Sequence, residues 1–273
     1  MNIIFLKKII PNFITLSSLL LGFTSIILLS LSINGSLNYV NTACYLIFLA
    51  AILDSVDGKI ARKLNISSDF GKEIDSLADL ISFCTVPSFL IFVYYTIIFP
   101  ELLHLVTLII LSSFPLILGA IRLAKYNALK EMRDSEKYLG LPTPANAILI
   151  CSLILFTYNF PYRALLGFNR FESIIYDLFG WIMNIDFMIM LISMISSILL
   201  MSKVNYEKFP LISFKINKQN NKDLLKVILF LIILIISIYY KDYDIVLLLF
   251  ILIYIFGNVL KYLINLNKQR RPL

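Results

Sequence analysis

Residues 54–79 of the chain read DSVDGKIARKLNISSDFGKEIDSLAD, and this stretch places four aspartates between two long apolar segments. Asp54 and Asp57 are three residues apart at the end of the first segment, and Asp75 and Asp79 are four apart at the start of the second. Side chains at these spacings share one face of a helix. The polar residues between the two pairs permit a reversal of the chain. Two antiparallel helices would therefore direct two carboxylates each toward one another.

Four carboxylates close to a bilayer are costly unless a cation balances their charge. Carboxylate oxygens are ligands that Mg²⁺ and Mn²⁺ prefer, usually together with water and a substrate phosphate. Two such ions can stabilise the attacking and the leaving oxygen of a displacement at phosphorus. Each aspartate taken singly could instead be a helix cap or a partner of the helix dipole. That alternative leaves the four acidic groups repelling one another, so we predict a divalent metal site.

The rest of the chain is typical of a polytopic membrane protein. Its 273 residues are 59% hydrophobic and only 15% charged, whereas a soluble domain carries about 25% charged residues. Several apolar runs are long enough to cross a bilayer of about 30 Å. We predict an all-α transmembrane bundle with eight spans, near residues 13–34, 39–57, 76–98, 104–124, 143–160, 181–202, 223–240 and 244–264.

A polar loop divides this bundle into two parts. We predict a six-span catalytic membrane domain at 1–202, a cytoplasmic polar loop at 203–222, and a C-terminal two-span pair with a basic tail at 223–273. Ile and Leu dominate the C-terminal pair, which carries no cluster of buried charge, so packing or association is its expected role. Residues 161–180 mix polar and aromatic side chains and are expected to lie along the outer surface.

The positive charges predict the orientation of the bundle. Of the 24 lysines and arginines, only Arg163, Arg170 and Lys241 fall on the side opposite the four aspartates. Cytoplasmic loops carry the excess of such residues, which places both termini and the aspartates on the cytoplasmic side. The net charge of +7 follows from this bias, and basic loops also favour anionic lipid headgroups. The sequence does not indicate nucleic-acid binding, because it contains no basic helix interleaved with exposed aromatic residues.

Small and basic residues accompany the aspartates. Gly58 and Ala61 lie about one turn beyond the first pair, and Gly71 lies one turn before Asp75. Small side chains allow a phosphate-bearing ligand to approach the backbone closely. The planar guanidinium of Arg62 can pair with phosphate oxygens.

The spacing D-x2-D-G-x2-A-R-x8-G-x3-D-x3-D of residues 54–79 resembles in full the signature of the CDP-alcohol phosphatidyltransferase family, whose six-span fold it also implies. The resemblance implies that the four aspartates bind two divalent cations, Mg²⁺ or Mn²⁺, and that Asp79 is also the general base. It further implies that Gly58, Ala61, Arg62 and Gly71 line the site for the cytidine diphosphate portion of the donor. The family moves a phosphatidyl or phosphoalcohol group from a CDP-linked donor to an alcohol.

Other stretches bear on the acceptor. The sequence PNFIT at 11–15 is similar to the opening of the first span in this family. The sequences DLISF at 79–83, RLAKYN at 122–127 and GLPTPA at 140–145 resemble those of membrane-embedded phosphatidylserine synthases in bacteria and archaea. Cys84 and Asn146 depart from that pattern. The resemblance implies CDP-diacylglycerol as donor, L-serine as acceptor, Asn12 and Thr15 at the mouth of the donor site, a homodimer, and a bacterial-type inner membrane with the site on its cytoplasmic face.

Two further pairs of residues each have two interpretations. Arg122 and Lys125 offer cations for the serine carboxylate, although basic residues at a span end also simply set topology. Thr143 and Pro144 fit a helix N-cap followed by proline at the first helical position, although such a helix end can also receive an anion. A sister enzyme acting on glycerol 3-phosphate or an inositol phosphate, and a non-catalytic membrane protein on the same fold, are the competing hypotheses.

Overall fold

The computed structural model describes residues 3–33, 38–63, 69–98, 104–128, 137–165, 185–207, 229, 232–239 and 242–269. Its helices are α1 (Ile3–Ser32), α2 (Asn38–Lys63), α3 (Asp69–Asp79), α4 (Val86–Ile98), α5 (Leu105–Ser112), α6 (Phe114–Ala128), α7 (Thr143–Leu165), α8 (Ile185–Leu200) and α9 (Tyr243–Gln269). A π-helical segment, Leu80–Thr85, joins α3 to α4 and is called the π segment below. Two strands, β1 (Lys137–Leu139) and β2 (Asn205–Glu207), complete the described elements.

The helices confirm the predicted class of an integral membrane protein with an all-α bundle. Within the described residues, five helical stretches are long and apolar enough to cross a membrane: Pro11–Ser32, Asn38–Gly58, Phe70–Ile98, Leu105–Ala128 and Tyr243–Asn267. Two shorter apolar helices, Thr143–Tyr158 and Met188–Leu200, match the predicted fifth and sixth spans. The predicted seventh span is described only at 229 and 232–239, which are helical.

The third and fourth spans differ in detail from the prediction. The third begins before residue 76, because α3 starts at Asp69 and continues through the π segment into α4. The fourth consists of two helices, since α5 ends at Ser112 and α6 starts at Phe114. Pro115, in the first turn of α6, has no N–H to donate. The next amide, that of Leu116, donates instead to the Ser88 hydroxyl of α4 at 2.9 Å.

Buried apolar residues form two clusters. The first lies among α1, α2, α4, α7 and α8, and includes Leu29, Ile47, Leu90, Ile154 and Ile189. The second joins α7, the end of α8, β2 and α9, and includes Leu149, Leu200, Tyr206, Ile251 and Ile255. The C-terminal helix therefore packs directly on the helix that follows β1.

The two strands form an antiparallel ribbon, which the sequence did not predict. Tyr138 pairs with Tyr206 in its centre, so the ribbon joins the segment before α7 to the segment after α8. Gly140 follows β1 with a φ of +77°, and a Cβ there would lie 2.2 Å from the carbonyl oxygen of Leu200. Both the backbone conformation and the space therefore require glycine. Of the predicted 203–222 loop, residues 208–222 lie outside the described residues, as do 166–180 of the predicted surface segment.

Candidate active site

Three of the four predicted aspartates meet between α2 and α3. Asp54, Asp57 and Asp75 each offer a carboxylate oxygen, and these oxygens all lie within 4.8 Å of one another. Asp57 is buried, whereas Asp54 and Asp75 are partly exposed. The helical spacing in the sequence thus places acids from two helices around one point, as predicted.

Asp79 lies beside this group and has a partner of its own. Asp54 interacts electrostatically with Asp57, Asp75 and Asp79, so all four carboxylates belong to one cluster. The Thr143 hydroxyl, at the start of α7, donates to Asp79 Oδ2 at 3.1 Å. The other oxygen, Oδ1, is buried without a hydrogen-bond partner among the described residues. Asp54 is a further side-chain neighbour of Asp79, and the Oδ1 atom can accept a proton.

The contact of Thr143 corrects one prediction. The N-cap interpretation requires its hydroxyl to accept from a backbone amide of the first turn. The amide of Asn146 instead donates to the carbonyl of Pro142 at 3.1 Å, which makes Thr143 the first helical residue. The capping prediction is wrong for Thr143, because its hydroxyl is directed to Asp79 across the bundle.

Helix α1 contributes a further hydroxyl to the cluster. Thr15 is buried and its Oγ1 lies 2.6 Å from Asp57 Oδ2 and 3.0 Å from the carbonyl oxygen of Pro11. Asn12, one turn earlier, is partly buried on the same helix. Thr15 therefore contacts the acidic cluster through Asp57, whereas the role of Asn12 and Thr15 at the mouth of the donor site stays a prediction.

The π segment starts directly after Asp79 and is held between two close helix contacts. A Cβ on Gly22 of α1 would lie 2.5 Å from Ser82 Oγ, and one on Gly119 of α6 would lie 2.4 Å from Cys84 Sγ. The Ser82 hydroxyl donates to the carbonyl of Ser18 at 3.0 Å. Single π turns within α-helices occur often at functional sites. Here the π turn fixes the helix that carries Asp79 against α1 and α6, and Gly119 provides the space for Cys84.

Arg122 and Lys125 have different environments. Arg122 is buried, its Nε has no hydrogen-bond partner among the described residues, and its guanidinium interacts electrostatically with Asp79. The Tyr126 ring lies below it, with Cζ 5.9 Å from the ring centroid. Lys125 is exposed. Of the two predicted acceptor-binding cations, only Arg122 is brought to the aspartates.

The remaining predicted site residues are less completely described. Gly58 and Gly71 are partly buried on α2 and α3. Ala61 and Arg62 belong to α2, and their side chains lie outside the described residues. One contact that sequence reasoning missed is the bond from Asn127 Nδ2 to Ser76 Oγ, at 2.9 Å. Asn127 ends the quoted RLAKYN stretch, but nothing in that stretch indicates that its partner is on α3.

The donor set fits a divalent metal ion. A cluster of carboxylates of one sign, partly withdrawn from solvent, leaves uncompensated charge that a hard cation neutralises. The oxygens of Asp54, Asp57 and Asp75 are close enough to share such an ion. Fold and site together define the class: an integral membrane protein with an acidic centre capable of holding metal.

The chain belongs to the CDP-alcohol phosphatidyltransferase family, whose model matches residues 8–262. It is 39% identical over 152 residues to a CDP-diacylglycerol–serine O-phosphatidyltransferase of Helicobacter pylori, a match covering 55% of this chain and 60% of that protein. It is 34% identical over 154 residues to the Methanocaldococcus jannaschii protein of that name, covering 55% and 64%. A Bacillus subtilis protein of that name is 36% identical over 155 residues, covering 55% and 77%. The matched part thus spans less than two thirds of the first two of these relatives.

Proposed function

We propose that this protein transfers the phosphatidyl group of CDP-diacylglycerol to the hydroxyl of L-serine and releases CMP. The observation that carries the proposal is the convergence of four aspartates next to one buried arginine. The aspartates suit a diphosphate donor held through metal, and Arg122 suits an acceptor with a carboxylate. The names of the relatives support the same donor and acceptor.

Two divalent cations, Mg²⁺ or Mn²⁺, would be held by Asp54, Asp57, Asp75 and Asp79. When bound, they neutralise the diphosphate and the charge that develops on the leaving CMP. Thr15 contacts Asp57 and restricts the rotation of that carboxylate. Gly58 and Gly71 leave room beside the cluster for the cytidine diphosphate, with Ala61, Arg62 and Asn12 as further contacts of the donor.

Asp79 is the general base in this proposal. Its Oδ2 accepts from Thr143, which leaves the buried Oδ1 to take the proton of the serine hydroxyl. The serine oxygen then attacks the phosphorus that carries the diacylglycerol. The bond from that phosphorus to the bridging diphosphate oxygen breaks, and CMP leaves with the electron pair.

Arg122 binds the acceptor. Its guanidinium presents paired donors in a plane, which matches the two oxygens of a carboxylate. Its Nε has no other partner among the described residues, so binding serine would satisfy a buried polar atom. A phosphorylated acceptor such as glycerol 3-phosphate or an inositol phosphate carries more negative charge and would call for additional buried cations.

The proposed setting is the inner membrane of a bacterial-type cell. The acyl chains of the donor lie in the bilayer and the aspartates face the cytoplasm, where serine is dissolved. The bias of lysine and arginine toward the aspartate side of the sequence supports this orientation. A homodimer is part of the proposal through family membership.

The test uses purified protein in lipid nanodiscs with CDP-diacylglycerol, Mn²⁺ and labelled serine. We expect label in the lipid phase and an equal amount of CMP, both lost with a chelator and restored by excess Mn²⁺. Labelled glycerol 3-phosphate and inositol phosphate serve as parallel acceptors. Transfer of label from either of these acceptors, with none from serine, would overturn the assignment of serine as the acceptor. CMP release that is unchanged by the chelator would overturn the metal dependence.

A further inference from the structure

The C-terminal helix α9 makes a specific set of contacts with strand β2. The Tyr254 hydroxyl donates to the carbonyl oxygen of Glu207 at 3.0 Å, and the Glu207 amide donates to Asn258 Oδ1 at 3.3 Å. Asn258 is buried, and its Nδ2 donates to the Tyr254 carbonyl at 2.8 Å. Both backbone groups of Glu207 are therefore held by side chains of α9.

Aromatic packing adds to these bonds. The rings of Tyr206 and Tyr254 have centroids 5.8 Å apart, and Tyr206 is fully buried in the second core cluster. Burial raises the pKa of Tyr206 to about 12, and its hydroxyl has no hydrogen-bond partner among the described residues. Ring packing is thus its contribution to the contact with α9.

The strand held by α9 in turn positions the start of α7. Strand β2 pairs with β1, and just beyond the strands the amide of Gly140 donates to the Val204 carbonyl at 2.9 Å. The Leu141 amide donates to the Leu199 carbonyl at 3.0 Å. Two residues later, Thr143 donates to Asp79. Hydrogen bonds from α9 to β2 and across the ribbon, followed by the short backbone segment from Gly140 to Thr143, therefore lead from α9 to the proposed base.

We infer that α9 positions the proposed general base: Tyr254 and Asn258 hold β2, the ribbon places Thr143, and Thr143 orients Asp79. Both residues are positioning residues, since neither contacts Asp79. The kinetic part of this inference rests on the proposed function, whereas its structural part does not. A helix outside the six predicted catalytic spans thereby becomes part of the machinery that sets kcat.

The first experiment compares two variants in nanodiscs. In the double variant Tyr254→Phe/Asn258→Ala, the bonds to Glu207 are lost and the aromatic ring at 254 is kept. We expect kcat to fall roughly tenfold, since small misplacement of a catalytic group is costly, with the KM for CDP-diacylglycerol changed less than about twofold. The matched control is Tyr206→Phe, which removes a hydroxyl without a partner from the other ring of the pair and should leave kcat unchanged. A kcat of the double variant equal to that of wild type would overturn the inference.

A double-mutant cycle distinguishes positioning from general loosening. Thr143→Val removes the hydroxyl bond to Asp79 and keeps the shape of the side chain. If α9 acts through Thr143, the double variant should reduce kcat far less in the Thr143→Val background than in wild type. Full additivity of the two effects on kcat would contradict the series described above.

A disulfide across the ribbon tests whether kcat of the α9 double variant can be restored. Leu139 and Asn205 are opposite one another in the ribbon at a position without mutual hydrogen bonds, where Cα atoms are about 4.5 Å apart and a disulfide fits. Adding Leu139→Cys and Asn205→Cys to the α9 double variant should restore most of kcat after oxidation and lose it again on reduction. Failure to restore kcat, with the disulfide formed, would overturn the inference.

Hydrogen exchange separates this inference from the proposed function. In the α9 double variant, we expect faster amide exchange across 137–141 than in wild type or Tyr206→Phe, whatever the reaction catalysed. Unchanged exchange there would overturn the positioning role even if the enzyme is active. The wild-type protein could also show no transferase activity while the α9 double variant still exchanges faster than wild type across 137–141. That result would support the positioning role and reject the proposed reaction.

Discussion

Two regions of the molecule affect the Asp79 carboxylate in different ways. The first, called the first wall, consists of α2 and α3, and the second, called the second wall, consists of α9 and the β1–β2 ribbon. In the first, Asp79 is itself a member of the acidic cluster, and its neighbours are carboxylates brought together by helical spacing. In the second, the influence on Asp79 passes through backbone pairing and one hydroxyl, that of Thr143. Changes in the first wall should therefore alter the chemistry, whereas changes in the second should alter geometry and stability.

The largest effect is expected for Asp79→Asn. The amide keeps the size of the side chain and a partner for Thr143 but cannot take a proton, so kcat for serine transfer should fall roughly a thousandfold. The measurement is steady-state incorporation of labelled serine into lipid, with the thermal unfolding midpoint as the control for folding. Turnover within about threefold of wild type would remove Asp79 as the base.

A smaller effect is expected for Arg122→Lys in α6, whose guanidinium interacts electrostatically with Asp79 of the first wall. An ammonium group keeps the charge but loses the planar pair of donors, so the KM for serine should rise by roughly tenfold or more, with little change for CDP-diacylglycerol. The comparator is Lys125→Met, which alters the exposed cation three residues later. An equal rise in serine KM for both variants would show that Arg122 has no specific contact with the acceptor.

In the second wall, Gly140→Ala should act on stability. Its φ of +77° is unfavourable for alanine, and the added Cβ meets the Leu200 carbonyl, so the free energy of unfolding should drop by about 1–3 kcal/mol. Gly257→Ala in α9 is the matched control, because an added Cβ there has no atom within 4 Å and alanine favours helix. Thermal unfolding in detergent gives the midpoint of each variant. Equal midpoints for Gly140→Ala and Gly257→Ala would contradict a strained turn at Gly140.

The smallest effect is expected for Lys261→Ala. Lys261 Nζ lies 2.8 Å from Glu207 Oε1, but both side chains are more than half exposed. Exposed ion pairs contribute between about 0 and 1 kcal/mol, so stability and kcat should change little. A loss of kcat as large as that of Tyr254→Phe/Asn258→Ala would mean that the ion pair, rather than the buried bonds, holds β2.

Sequence patterns predicted the first wall because its physics is local. Acids three and four residues apart share a helix face whatever surrounds them, and uncompensated charge beside apolar spans calls for a cation. The spacing of Asp54 with Asp57 and of Asp75 with Asp79 therefore led directly to the observed cluster. The apolar runs likewise predicted the helical membrane class, although the break at Ser113 and the start of α3 at Asp69 were missed.

The second wall could not be predicted in this way. Strands of three residues show too little alternation to stand out from a loop, and the described helices α7 and α8 both lie between β1 and β2 in the sequence. Helix α9 is rich in Ile and Leu on most faces, so its sequence does not indicate which face contacts β2. Thr143 fitted a cap because capping is the usual local use of threonine before a helix, while its actual partner comes from another helix.

The sequence by itself determined that this is a helical membrane protein of the CDP-alcohol phosphatidyltransferase family with four convergent aspartates between residues 54 and 79. Bilayer thickness, helical periodicity and charge act on residues close in the chain, so they indicate the helical membrane class and the acidic cluster. The family was indicated by the resemblance of residues 54–79 to its signature. Only the tertiary structure decided that Thr143 contacts Asp79, that Arg122 rather than Lys125 approaches the cluster, and that α9 holds the ribbon. Those contacts join residues distant in the chain, and packing of the whole bundle selects them.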